Sequence, residues 1–220
     1  MPNQNQINFI KLNKDLITTP ILIIGSKEYD FDEYNYIQEL NRLGFDEIIG
    51  LDIATGSGVD VLADICDLNH NYFSSNAERF KTVICMQTLY SVKDPFKATQ
   101  NIQGLLSRNG VLIFSDIFSH RVNRIPSDYW RFTYDAQKLL FDKIDFLDQR
   151  TKIGITRQNK LIEYSLPLPE LLKYSKEKNE TSVAFFFRKL YRKIFHKGLL
   201  NNQRLIPEIS IHSIGNKNII

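Results

Sequence analysis

Two aspartates stand where short apolar runs end. Asp52 closes Glu47-Ile48-Ile49-Gly50-Leu51-Asp52, and Asp64 closes Val59-Asp60-Val61-Leu62-Ala63-Asp64. A carboxylate at a strand end can accept hydrogen bonds from both hydroxyls of a ribose, each contributing about 1.5–3 kcal/mol. The acid one strand further on could face the amino group of a purine. Either residue could equally cap a turn. Two acids at successive strand ends of one sheet would converge on a single crevice, and that favours a nucleotide-type ligand over two unrelated caps.

Such convergence needs a parallel sheet. Ile21-Leu22-Ile23-Ile24 is wholly apolar and stops at Gly25, as expected of a strand buried on both faces. Tyr36, Ile37, Leu40 and Leu43 fall at helical spacing within 31–43. Strands then follow at 47–52, 59–64, 81–86 and 111–116. Between the last two, Pro95 opens a helix that runs to Leu106, and a further helix covers 134–141. Strand and helix in alternation predict a doubly wound α/β fold with a mostly parallel sheet. Ligands of such sheets bind outside the carboxyl ends of the strands. Function is therefore sought after Ile24, Leu51, Leu62, Met86 and Ser115.

Composition bounds the rest. The 220 residues suit one large domain or one domain with a tail, and 43% hydrophobic residues supply a core. The net charge of +3 is too small to argue for nucleic acid. Cys66 and Cys85 sit in apolar runs and predict two buried thiols in a reducing, cytoplasmic setting. No metal site is expected. Beyond residue 143 the pattern weakens. One or two closing strands are expected over 144–157, and a loop with a short helix over 161–172. A basic amphipathic helix follows over 183–200, with a tail of uncertain order from 201 to 220. The expected division is a cofactor-binding domain over 1–160 and an extension over 161–220. The helix stripe of Val183, Phe186, Phe187, Leu190 and Ile194 beside Arg188, Lys189, Arg192, Lys193 and Lys197 has three readings. It covers the domain, lies on an anionic membrane surface, or, least favoured, binds RNA.

These segments together resemble the class I S-adenosylmethionine-dependent methyltransferases over about 21–141. The resemblance rests on Ile21 to Lys27, Gly50 to Ile53, Gly58 to Asp64, Phe80 to Pro95 and Leu105 to Ile113. Pro126-Ser127-Asp128-Tyr129-Trp130-Arg131-Phe132-Thr133 is similar to a segment of methyltransferase-like proteins associated with glycan and polysaccharide biosynthesis. The resemblance implies a seven-stranded, Rossmann-like sheet, S-adenosylmethionine as cofactor and a small-molecule or glycan-precursor acceptor. Gly25, Ser26 and Lys27 would pass under its methionine part. Asp52 would bind the ribose, with Ile53 beside it in the cofactor site, Asp64 and Ile65 would contact the adenine, and Cys85, Met86 and Gln87 would line the sulfonium side. His120, Asp128, Tyr129 and Arg131 would face the acceptor, with His120 as the base because its ordinary pKa lies near 6.5. Asp128 is either a base or the partner of Arg131. The first motif departs from the family's pattern: Ile23 replaces an acid, and Lys27 and Tyr29 replace glycines. Tyr90-Ser91 stands where a Glu-His pair is common. A degenerate site on a non-catalytic scaffold, or on a membrane-surface partner, is the alternative.

Overall fold

A computed structural model describes residues 2–124, 126–164, 181–187, 190 and 208–218. Nine strands form one sheet among these residues, in the order β3-β2-β1-β4-β5-β9-β7-β8, with β6 also paired to β9. β1 (Ile21–Ile24), β2 (Ile48–Asp52), β3 (Val61–Leu62), β4 (Phe80–Met86) and β5 (Leu106–Ser119) are mutually parallel. β9 (Ile209–Lys217) runs antiparallel to β5, and it carries β6 (Ile144–Phe146) and β7 (Lys152–Ile155) on its other side. β8 (Lys160–Glu163) pairs with β7.

The apolar run of β1 is explained by its two faces. Leu22 and Ile24 join Val83, Cys85, Leu112 and Phe114 in one core, beneath α3 (Asn71–Ser75), α4 (Pro95–Leu105) and α5 (Tyr134–Leu140). Ile21 and Ile23 join Ile84, Met86, Ile113 and Ile214 in the other, beneath α1 (Gln4–Leu12) and α2 (Tyr36–Arg42). All four β1 side chains are at most 1% exposed, and each such burial stabilises by about 2 kcal/mol. Asp94 caps α4 through its carboxylate, which accepts the Phe96 and Lys97 N–H groups, and Pro95 follows where no intrahelical donor is required.

The structure departs from the sequence reading in four places. Among the described residues the sheet has nine strands rather than seven, because the short pairings β6, β7 and β8 extend it beyond β9. β3 keeps only two ladder residues, since Asp60 turns back to hold the Gly50 N–H at 2.8 Å. The polar N-terminal stretch, to which the sequence reading gave no element, forms α1, closed by a capping box between Asn3 and Gln6, and it buries Ile7, Phe9 and Ile10. The expected tail contains β9 over 209–217, hydrogen-bonded on both edges to strands from residues 1–160. Cys66 is part-buried and Cys85 buried, both free. Of the basic helix, 182–187 are helical with Val183, Phe186 and Phe187 more than 60% exposed. Its residues 188–189 and 191–200, and the stretch 165–180, lie outside the described residues. Among the described residues, no helix is long and apolar enough to cross a membrane.

Candidate functional site

The strand order reverses at β1: the chain steps to β2 and β3 on one side, then returns to β4 and β5 on the other. Ligand crevices open at such a switch point, outside the carboxyl ends. Gly25 leaves β1 there with φ +74°, a left-handed conformation that glycine adopts at little steric cost. A Cβ at Gly25 would also lie 2.3 Å from Thr88 Oγ1. That hydroxyl donates to the Ile24 carbonyl at 3.1 Å and ties the β4 loop to the β1 turn. The Gly25 and Ser26 N–H groups both donate to Leu51 O, at 2.9 and 3.2 Å. Gly50 lets the β2–β3 loop lie close, since a Cβ there would meet Gly58 O at 1.9 Å.

Asp52 ends β2 beside this turn. Its Oδ2 accepts the Lys27 N–H and its Oδ1 the Ala54 N–H, each at 3.0 Å. The turn-capping role is therefore present. It does not exhaust the carboxylate, whose two oxygens offer about four acceptor directions. Ile53 follows at 61% exposure, an apolar face at the sheet edge. Asp64 is exposed and accepts the Cys66 N–H at 2.9 Å, whereas Ile65 is buried in the core. Met86 is buried at the end of β4. Gln87 follows at φ +50°, its N–H donating to Ser115 O at 2.7 Å. A non-glycine residue at positive φ is uncommon, and such residues cluster at ligand sites.

The segment 120–133 is laced onto the β4 loop. The Tyr129 and Trp130 N–H groups donate to Tyr90 O, Trp130 Nε1 donates to Val92 O at 2.9 Å, and Asn123 Nδ2 donates to the Tyr90 hydroxyl at 3.1 Å. Asp128 and Arg131 pair with each other, and Asp128 Oδ2 also accepts the Asn123 N–H at 2.7 Å. The Arg131 guanidinium holds the Asp128 carboxyl below the usual carboxylate range. Of the two roles open to Asp128, the geometry shows the pairing. His120 Nδ1 lies 2.7 Å from Arg121 O, and its Nε2 lies 4.0 Å from Glu208 Oε1. A carbonyl only accepts, so the short contact places a proton on Nδ1.

Sequence reading gave no role to Asp116, whose side chain lies wholly buried near the end of β5. It accepts the Tyr90 N–H at 3.1 Å and the Ile117 N–H at 2.8 Å. Burial outweighs these bonds and lifts its pKa from 3.8 to about 7. Nothing in the sequence except an acid at the functional edge could have pointed to it. From the unfolded value near 3.9 up to about 7, the folded state binds more protons, so stability falls as pH rises through that window. The loss is on the order of 4 kcal/mol for about three pKa units. Urea unfolding of Asp116→Asn should show its stability rising relative to the native chain between pH 4 and pH 8. A constant difference would mean that the buried carboxyl does not titrate there.

Hollows open at both edges of the sheet among the described residues. One of about 20 Å³ lies at the end of β1. A larger one, about 410 Å³, is lined by Glu78, Gln103, Lys143 and Lys217 at the amino edge of the sheet, away from the switch point. Among the described residues, no group of acidic, histidine and cysteine side chains could hold a metal ion.

No family model matches the chain. Over 97% of its length it superposes on the crystal structure of MccD protein, covering 96% of that chain with a TM-score of 0.56 at 15% identity. A SAM-dependent methyltransferase from Archaeoglobus fulgidus matches 97% of the chain and 94% of its own, with a TM-score of 0.51 at 16% identity. The fold is that of the class I methyltransferases. The same methyltransferase architecture is seen in phosphoethanolamine N-methyltransferase 2 of Haemonchus contortus, in complex with phosphomonomethylethanolamine and S-adenosylhomocysteine. That likeness covers 98% of this chain and 53% of the other, with a TM-score of 0.53 at 14% identity. In sequence, 74 residues are 38% identical to ubiquinone biosynthesis O-methyltransferase of Haemophilus ducreyi. The matched stretch is 34% of this chain and spans 29% of the curated relative's length.

Proposed function

We propose that the chain binds S-adenosylmethionine at the carboxyl edge of β1, β2 and β4 and transfers its methyl group to a small-molecule acceptor. The observation that carries this reading is Asp52, a carboxylate with spare acceptor capacity at the switch point, held beside a glycine turn of left-handed conformation. Ribose hydroxyls are the natural donors to such a group. Ile53 offers an apolar face to the adenine and Asp64 an acceptor for its amino group, while Gly25, Ser26 and Lys27 border the methionine end. Ile65 supports this wall from the core, and Met86 and Gln87 border the sulfonium. The relative from Haemophilus ducreyi is an O-methyltransferase by name, which supports an oxygen acceptor. A glycan precursor is the narrower form, carried by the 126–133 segment. Methyl transfer demands alignment of the nucleophile with the sulfonium, sometimes with a base. His120 is the base in this reading, and the Asp128–Arg131 pair positions its loop.

The competing reading, a non-catalytic scaffold, draws on Lys27 and Tyr29. The Lys27 stem lies against Gly56, where a Cβ would come within 3.0 Å of it, and its Nζ sits 5.3 Å from the Tyr29 ring centroid. Titration calorimetry of the folded chain with S-adenosylmethionine separates the two. Saturable binding is expected, and no heat at millimolar ligand would sink the methyltransferase reading.

A further inference from the structure

The helix that begins after Thr181 turns a row of large apolar side chains outward. Its start is well defined: the Phe185 N–H donates to Thr181 O at 3.0 Å, and the Ala184 N–H donates to Thr181 Oγ1 at 3.2 Å. Val183, Phe186, Phe187 and Leu190 recur at the spacing of one helix face. They are 64%, 62%, 61% and 40% exposed. A helix that covered the domain would bury such a stripe. Four large apolar side chains gathered on one exposed face mark an interaction surface.

Charge identifies what meets this face. From 181 to 207 the sequence holds six basic residues, Arg188, Lys189, Arg192, Lys193, Lys197 and Arg204, and no acid. Of the 28 basic residues in the chain, the other 22 are outnumbered by the 25 acids, all of which lie outside this stretch. The whole positive excess therefore resides here. A second copy of the chain would bring the same six cations against its own, with no acid in the stretch to offset them. Six cations in 27 residues also exclude a membrane span. RNA would answer the charge but not the aliphatic Val183 and Leu190, because bases stack on aromatic rings. An anionic lipid surface answers both: its headgroups attract Lys and Arg, and its acyl boundary takes up Phe, Val and Leu.

We propose that the segment opening at Thr181 lies on an anionic membrane surface. Val183, Phe186, Phe187 and Leu190 enter the acyl boundary, and the basic residues that follow in the sequence face the lipid phosphates. The proposal stands apart from the cofactor reading, since none of these residues belongs to the crevice at the switch point. Both halves of the surface contribute to binding. Each Phe taken out of water contributes roughly tenfold in affinity. Each cation near the surface contributes about fivefold, and that part weakens as salt screens it.

The test is co-sedimentation of the full chain with two vesicles, one of phosphatidylcholine alone and one of equimolar phosphatidylcholine and phosphatidylserine. The native chain should bind the mixed vesicles on the order of 100-fold more tightly than the neutral ones, and less tightly as salt is raised. Phe186→Ser with Phe187→Ser should weaken binding to mixed vesicles on the order of 100-fold. Arg188→Gln with Lys189→Gln should weaken it about 25-fold. Both pairs should melt at the native temperature, as exposed positions do. Native chain that sediments with neither vesicle would overturn the proposal, as would equal sedimentation of the native chain and the Phe pair. A Phe pair that melts well below the native chain would show that the stripe packs on the domain, and would overturn it too. A native dimer in analytical ultracentrifugation that the Phe pair abolishes would assign the face to a second copy instead. Tighter binding to oligouridine than to mixed vesicles, lost in the same variants, would assign it to RNA.

Discussion

Asp52→Ala is expected to weaken S-adenosylhomocysteine binding on the order of 100-fold, about 3 kcal/mol, through the loss of two charge-assisted bonds to the ribose. The structure adds a second consequence. The same carboxylate holds the Lys27 and Ala54 N–H groups, so its removal also loosens the turn out of β1. A loss of about 1–2 kcal/mol in stability should accompany the loss of affinity, as for other capping aspartates. Asp52→Asn divides the effects, because its single amide oxygen can keep one staple but cannot serve two hydroxyls as a carboxylate does. Calorimetry and urea unfolding on both variants distinguish the roles. Near-native affinity with lowered stability in Asp52→Ala would make Asp52 a turn residue alone.

The site was legible in the sequence where chemistry coincides with a strand end, and illegible where it depends on what a loop folds against. Asp52 and Gly25 could be picked out because an apolar run stops at each. Ile65 could not be separated from its neighbours by type, and only the fold shows it turned into the core. Asp128 and Arg131 were legible as partners, being three residues apart with opposite charge. Asp116 was passed over because its perturbation comes from burial beneath the Tyr90 loop, a long-range contact with no local signature. The α1 capping box was present as Asn3 and Gln6. Its weight was lost because Asn5 and Gln6, both buried, break the apolar stripe expected of a packed helix.

β9 was the largest part of the fold that pattern could not reveal, and it carries the second large prediction. Ending the chain at residue 207 is expected to leave no cooperatively folding protein. β9 pairs with β5 from Val111↔Asn216 to Ser119↔Ile209, and among the described residues β6, β7 and β8 reach the sheet only through it. Its loss would strip Ile211 and Ile214 from the two cores and expose the edge of β5. Its polar residues conceal it in the sequence, yet all of them but Asn216 are buried with it. Ser213 donates to Gln137 Oε1 at 2.6 Å, and Gln137 Nε2 donates to Ile211 O at 3.4 Å. Burial pushes the His212 pKa down to about 3, so its neutral ring packs 5.3 Å from the Phe9 ring as an apolar group would. A point change gives the graded form. Ile214→Ala removes a fully buried side chain and should cost roughly 2–5 kcal/mol of a total on the order of 5–15 kcal/mol. Thermal melts followed by circular dichroism check both. A truncated chain melting near the native temperature would mean that the parallel strands fold without β9, and that residues 1–160 form a unit of their own.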